Sequence, residues 1–348
     1  MTIVSEKYAH VIGVDTHART HTYAIVSTTT GARAGCEAFP VTSAGMKRAI
    51  AWIRRGTSGQ VLASVEGTSS YGASLTRALT AEGITVVEAK PPRKAVRAGV
   101  GKTDEIDATA AATGVLGTDV DRLLHPRTDG ARAALSVLLA SRRRVEKQST
   151  ANRNALNALV RQIDLGLDTR WAVTDKQVAE IRAWRPRTTD SVEQQIAREE
   201  AIDLARGITA AAARGKLIKA HLAELDEQLA PGLQAQPGLG PVTVGIILAA
   251  YSNSGRVRNE AAFASLAGVS PLQASSGNTT RHRLNRHGDR QLNMALDVII
   301  KTRMRFDETT KKYVERRTAQ GLSYREINRV LKRYLARDLF RQLQQLFS

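Results

Sequence analysis

Asp15, Glu66, Asp104 and Asp107 are the side chains whose types and spacing could carry chemistry. Asp104 and Asp107 stand three residues apart where a helix is expected to begin near Thr103, so both carboxylates share one helix face. Asp15 and Glu66 each close an apolar run and are expected at strand ends. Four acids gathered in one place repel one another unless a cation neutralises them. Hard divalent ions prefer oxygen ligands, and Mg2+ takes one or two carboxylates together with phosphate oxygens. Two such ions about 3.5 to 4 Å apart would serve phosphodiester transfer, with Mg2+ or Mn2+ as the cofactor. Each acid also has a plainer reading. An Asp after a strand forms turns, Asp104 could cap its helix, and Asp107 could merely favour the helix dipole.

The elements that must position these acids are legible as alternation. His10 to Asp15 and His21 to Val26 read as two strands joined by a short turn. Ser43 precedes a helix over Ala44 to Arg55, with Met46, Ile50 and Ile53 on one face. Val61 to Val65 is the next strand. A helix over Tyr71 to Glu82 stops at Gly83, and Ile84 to Val87 gives another strand before Pro91 and Pro92. The order β-β-α-β-α-β-α predicts an α/β domain over residues 1–130, of the ribonuclease-H-like kind in which these strand and helix ends converge at one sheet edge.

From Arg132 to Leu229 Gly and Pro become scarce. Leu135, Leu138, Val145, Leu156, Leu159 and Ile163 fit heptad positions, and Ile218, Leu222, Leu225 and Leu229 mark a second helix beyond an irregular stretch near Trp171 to Pro186. Residues 131–232 are therefore expected to form a long α-helical arm, an antiparallel hairpin or a coiled-coil dimerisation arm, with a small bundle packed on its own chain as the alternative. Pro237 to Pro241 opens a mostly α C-terminal domain over residues 233–348. Its Gly-rich turn before Val242 to Ala250 resembles half of a helix-hairpin-helix, whose backbone N–H groups can hold a phosphate. The last helix, Tyr324 to Phe347, sets Ile327, Val330, Leu331, Tyr334, Leu335, Leu339 and Leu343 against a crowd of Arg and Lys.

The chain has 348 residues, with 51 Lys plus Arg against 33 Asp plus Glu, a net charge of +18. Such a field points to a polyanionic partner. Hydrophobic residues at 42% argue against a disordered basic tail, and a lone Cys36 excludes internal disulfides and multi-thiolate metal sites. The longest apolar run, Val242 to Tyr251, falls short of the roughly 20 residues of a membrane helix, and a signal-peptide pattern is lacking. A soluble, cytoplasmic, nucleoid-associated protein with no membrane partner is expected.

Gly13-Val14-Asp15-Thr16-His17, Val65-Glu66-Gly67-Thr68-Ser69-Ser70-Tyr71-Gly72 and Gly101-Lys102-Thr103-Asp104-Glu105-Ile106-Asp107-Ala108 resemble the three acidic motifs of the DEDD insertion-sequence transposases of the IS110 family, whose relatives include Piv-type DNA invertases. Pro237 through Leu296 is similar to that family's second domain, including Phe263 to Gly268, Ser276-Gly277 and Gly288-Asp289-Arg290. The resemblance implies a RuvC-like first domain in which Asp15, Glu66, Asp104 and Asp107 are the metal-binding and catalytic tetrad. It also implies that Ser276 is the nucleophile that links covalently to DNA, with Ser275 as the neighbouring alternative. An element-encoded, structured noncoding guide RNA is implied as a partner.

Lys102, Arg281, Arg283, Arg286 and Arg290, with Arg325, Arg329 and Arg333 on the last helix, are candidate nucleic-acid contacts, and His282 or His287 could be a general base. Aromatic residues at 4% speak against base-stacking platforms, so backbone contacts should dominate. The leading expectation is a Mg2+-dependent DNA transposase or recombinase that acts on element ends and target DNA as a homo-oligomer, a dimer or tetramer. A Piv-like site-specific invertase and a non-catalytic nucleic-acid-binding protein are the competing readings.

Overall fold

The computed structural model describes residues 2–89, 103–127, 130–168, 170–273, 282, 283, 285 and 288–347. The chain divides into two compact units: an N-terminal unit of residues 1–128 joined by 253–258, and a helical unit of 129–252 and 259–348.

In the N-terminal unit a short helix α1 (Val4–Lys7) leads into β1 (His10–Thr16), β2 (Thr20–Ser27) and β3 (Arg33–Pro40), followed by α2 (Ser43–Gly56), β4 (Val61–Val65), α3 (Ala73–Ala81), β5 (Thr85–Glu88) and α4 (Asp104–Thr113). The sheet order is β3-β2-β1-β4-β5. β1, β2 and β3 pair antiparallel, whereas β1, β4 and β5 run parallel. β1 is apolar on both faces because both are covered, as parallel strands require. Ile12 and Val14 join Ile50, Ile53, Leu75 and Leu79 of α2 and α3 in one core. Val11, Leu62 and Val87 face the other way, against Val4, Tyr8 and Ala112.

Two details differ from the sequence reading. β3 is a strand that the alternation omitted; it is an edge strand, mostly exposed except at Phe39, and so shows no two-residue apolar period. The N-cap of α2 is Thr42 rather than Ser43, because Thr42 has the extended backbone and its Oγ1 accepts from the Gly45 N–H at 3.0 Å.

The helical unit holds α5 (Ala131–Gln162), α6 (Asp175–Arg182), α7 (Val192–Leu229), α8 (Pro241–Tyr251), α9 (Glu260–Leu266), a two-residue pair β6 (Leu272–Gln273) and β7 (His282–Arg283), then α10 (Arg290–Phe306), α11 (Glu308–Ala319) and α12 (Tyr324–Leu346). α5 and α7 form an antiparallel hairpin: Asn152 abuts Gly207 at one level, while Leu135 and Leu222 meet over Gly245 at the other. Leu135, Leu139, Leu156 and Val160 are the buried positions of α5, leaving its middle without a buried seam, whereas Leu138, Val145 and Leu159 are half-buried. The stretch near Trp171 to Pro186 is not irregular throughout, since α6 closes the hairpin tip by packing Val178 and Ile181 on Leu156, Ala201 and Ala205. α8 is apolar all round because it lies inside, against α5, α7 and α10. The segments read as residues 131–232 and 233–348 thus lie in one compact unit.

Candidate active site

The parallel pairing of β1 and β4 decides where two of the acids stand. Val14 pairs with Val65, so Asp15 and Glu66 leave neighbouring strands at the same level. The Glu66 N–H donates to the Val14 carbonyl at 3.0 Å, and the Thr16 hydroxyl donates to the Glu66 carbonyl at 3.0 Å. Gly67 then turns the chain away with φ +59, a left-handed conformation that favours glycine.

The other two acids come from the start of α4, which crosses β1 closely enough to need glycine beneath it. A methyl on Gly13 would stand 1.9 Å from the Ala108 carbonyl oxygen and 2.5 Å from the Ala112 nitrogen. The helix presents Ala108, Ala111 and Ala112 there, side chains small enough for that approach. Thr103 is the N-cap, its Oγ1 accepting from Ile106 N at 3.3 Å. Asp104 therefore does not cap, and its carboxylate is free to face the site.

The result is an open cleft of about 480 Å3 whose walls include Asp15, His17, Glu66, Glu88 and Asp107. Asp15 is only 6% exposed. His17 Nε2 lies 3.1 Å from Asp15 Oδ2 and 3.4 Å from Asp104 Oδ1. Asp104 lines a neighbouring depression with Thr22 and Glu37 and reaches the cleft through His17. One ligand atom from each of Asp15, His17 and Asp104 lies within 4.8 Å of the others, a spacing that could hold a metal ion. The carboxylate oxygens suit Mg2+, and the imidazole nitrogen shifts the set towards Mn2+. His21, buried on β2 with neither ring nitrogen partnered, has its pKa lowered chiefly by burial and so stays neutral.

Lys102, Ser275, Ser276, Arg281, Arg286 and His287 lie outside the described residues. His282 and Arg283 form β7. Arg290 opens α10 behind its cap Asp289, and Arg325, Arg329 and Arg333 lie on α12, the first two exposed and Arg333 half-buried. The apolar face expected on α12 is narrower than its sequence suggests: Ile327, Leu335, Leu339 and Leu343 are buried, whereas Tyr334 is exposed. Lys332 does not belong to a solvated basic face, since its Nζ turns inward to Asn293 Oδ1 at 2.9 Å.

Residues 12–164, from β1 through α5, match the DEDD transposase model of the IS110 type. Residues 230–315 match the model described as transposase IS116/IS110/IS902 family. The chain belongs to the IS110 family of transposases. Among curated proteins, an uncharacterized 43.6 kDa protein of insertion element IS110 from Streptomyces coelicolor is 28% identical over 144 residues. That match covers 40% of this chain and 36% of the relative, so the chain spans about a third of the length of the curated relative it matches. The two family matches bracket the acidic cleft and the segment that contains Ser276. No helix among the described residues is long and apolar enough to cross a membrane.

Two residues of this IS110-family cleft, His17 and Glu88, were missed by sequence reasoning, as was Arg256, which pairs with Glu88 behind it. His17 was detectable, since it follows Asp15 by only two residues at the end of β1 and carries a side chain able to ligate a metal. Glu88 ends a strand as Asp15 and Glu66 do. Arg256 carries no local signal, because its partner Glu88 is 168 residues away.

Proposed function

We propose that the chain is a divalent-metal-dependent DNA transposase that cuts and rejoins strands to mobilise an insertion sequence. The observation that carries this reading is the meeting of acids from three distant segments, the ends of β1 and β4 and the start of α4, at one cleft. Turn or capping acids have no reason to converge so. The β3-β2-β1-β4-β5 order with α4 across β1 supports a RuvC-like, ribonuclease-H-like assignment for residues 1–130.

Asp15, Glu66, Asp104 and Asp107 would hold Mg2+ or Mn2+, with His17 beside them. Once bound, the ion would polarise the phosphodiester and neutralise developing charge. Asp15 and Glu66, held by strand pairing, and Asp107, held by the Gly13 crossing, line the cleft already, whereas Asp104 would swing from the neighbouring depression past His17 to join them.

Ser276, or Ser275 beside it, would attack phosphorus: a serine oxygen–phosphorus bond forms, the bond to one deoxyribose oxygen breaks, and the serine proton ends on the leaving hydroxyl. The link conserves the phosphodiester for rejoining. Arg290, Arg325, Arg329 and Arg333, with Lys102, Arg281, Arg283 and Arg286, would contact phosphates without reading bases. Sequence choice would fall to a structured guide RNA. The α5–α7 hairpin of residues 131–232 would hold a cytoplasmic homo-oligomer, and residues 233–348 would bring the serine and a phosphate-binding turn at the start of α8.

To test the reading, purified protein is incubated with element-end DNA, candidate RNA and Mg2+ or Mn2+. The expected result is strand exchange that stops without metal and in Asp15→Asn, with Ser276→Ala losing the protein–DNA adduct. Undiminished exchange by Asp15→Asn sinks the metal assignment, and an undiminished adduct in Ser276→Ala moves the nucleophile to Ser275 or elsewhere.

A further inference from the structure

The cleft has a fifth acid. β5 ends at Glu88, which pairs in register with Val65, the residue before Glu66, and its side chain lines the same wall. Glu88 is engaged by an arginine. Arg256 Nη2 lies 2.7 Å from Glu88 Oε2, and Arg256 Nη1 donates to the His125 carbonyl oxygen. The Glu88 backbone N–H donates to the Leu124 carbonyl, so strand end, arginine and the 124–125 segment form one knot. The Arg256 side chain is only 9% exposed.

The origin of Arg256 is unusual. The segment Asn253–Arg258 belongs to the N-terminal unit, although the chain on both sides of it belongs to the helical unit. The chain leaves α8 at Ser252, a buried residue with φ +72, the one non-glycine among the described residues in the left-handed region. It returns at Asn259, the N-cap of α9, whose Oδ1 accepts from Ala262 N at 2.8 Å. A strained residue of this kind persists only where the surrounding structure over-determines it. Here it turns the chain into the strap that delivers Arg256.

We infer that Arg256 is a positioning residue of the acidic cleft, which withholds Glu88 from the cation-binding set and cancels its charge. This rests on the reading of the cleft as the cation site. Phosphodiester chemistry needs a few carboxylates per ion with room left for phosphate oxygens. A free fifth carboxylate on the wall would compete for the ion and repel the phosphate. The planar guanidinium serves both the Glu88 carboxylate and the His125 carbonyl at once, which a lysine ammonium cannot do in a fixed geometry.

The test is Mn2+ binding to the full chain, measured by calorimetry without nucleic acid, with melting curves to show that each variant is folded. Arg256→Met should tighten Mn2+ about tenfold, the scale of one unpaired unit charge near the site. Glu88→Gln, which strands the arginine charge, should weaken it by about the same factor, and the double variant should return to within about twofold of wild type. Should Arg256→Met fail to fold, Glu88→Gln decides together with Arg256→Lys, which keeps the charge but not the fixed two-partner geometry and should change affinity less than Glu88→Gln does. Affinity within twofold of wild type in both Arg256→Met and Glu88→Gln, or no rescue in the double variant, overturns the inference. Asp15→Asn separates the two levels. If it abolishes Mn2+ binding while the Arg256 and Glu88 variants do nothing, only the role of Arg256 falls; if wild type and Asp15→Asn bind alike, the cation site itself is misplaced and the inference falls with it.

Discussion

Each unit of the molecule buries an aspartate, and the two could hardly be more different. Asp15, in the N-terminal unit, is 6% exposed, has His17 at 3.1 Å and opens onto a cleft shared with Glu66 and Asp107. Asp226, in the helical unit, is fully buried on α7 beside Gly245 of α8, and neither carboxylate oxygen has a hydrogen-bond partner. Burial pushes its pKa up to about 8, so below that pH it is a neutral polar group inside a core. Burial alone therefore does not mark chemistry. What distinguishes Asp15 is company: other ligand atoms arriving from separate elements, and an open side from which an ion and a phosphate can enter.

The contrast can be broken most severely at Gly13. Gly13→Val would force α4 off β1, because even its first carbon collides with backbone at Ala108 and Ala112. A loss of about 3 kcal/mol or more in denaturant titration is expected, together with loss of Mn2+ binding, since overpacking against backbone leaves nothing flexible to yield. Unchanged stability would mean that α4 does not depend on that approach.

The second test concerns Asp226 and has a definite sign. Its folded pKa lies above its unfolded value near 4, so the folded chain binds the extra proton between about pH 4 and 8. Stability contributed by this group is complete at low pH and declines as pH rises, by about 1.4 kcal/mol per pH unit, until it levels off above the folded pKa. Asp226→Asn should remove that slope, read as the difference between variant and wild-type denaturation midpoints from pH 5 to 8. A difference independent of pH would show that the carboxylate has found a partner.

The smallest effect sharpens the comparison from outside. Arg153 and Asp175 pair at 2.6 Å on the hairpin, but Asp175 is 91% exposed. Asp175→Asn should change stability by less than about 0.5 kcal/mol, because a solvated pair is screened by water. A larger loss would assign this pair a share in closing the hairpin tip.

Much of the acidic cleft was legible before any coordinates. Asp15 and Glu66 follow apolar runs, and Asp104 and Asp107 share a helix start, signals that depend on neighbours within a few residues. What escaped did so for physical reasons. β3 is an exposed edge, so solvent erased its apolar period. The expected heptads of α5 thin out between Leu139 and Leu156, because the hairpin buries its two ends rather than a continuous seam. Lys332 counted as surface charge until α10 offered Asn293 and Asp297. Arg256 had no readable role at all, since a guanidinium finds its carboxylate through the fold and not through spacing.

By itself, the sequence determined the local states: which segments pair as strands or coil as helices, where α4 begins behind Thr103, and that acids would stand at element ends in a chain of net charge +18. These follow from backbone propensity, capping and periodicity, which act over a few residues. Only the tertiary structure decided that Asp15, Glu66 and Asp107 share one cleft, that Asp104 joins it through His17, that Glu88 is held by Arg256, and that Asp226 is left alone. Those outcomes depend on strand register and on the depth of one helix crossing, long-range packing that no stretch of neighbouring residues encodes.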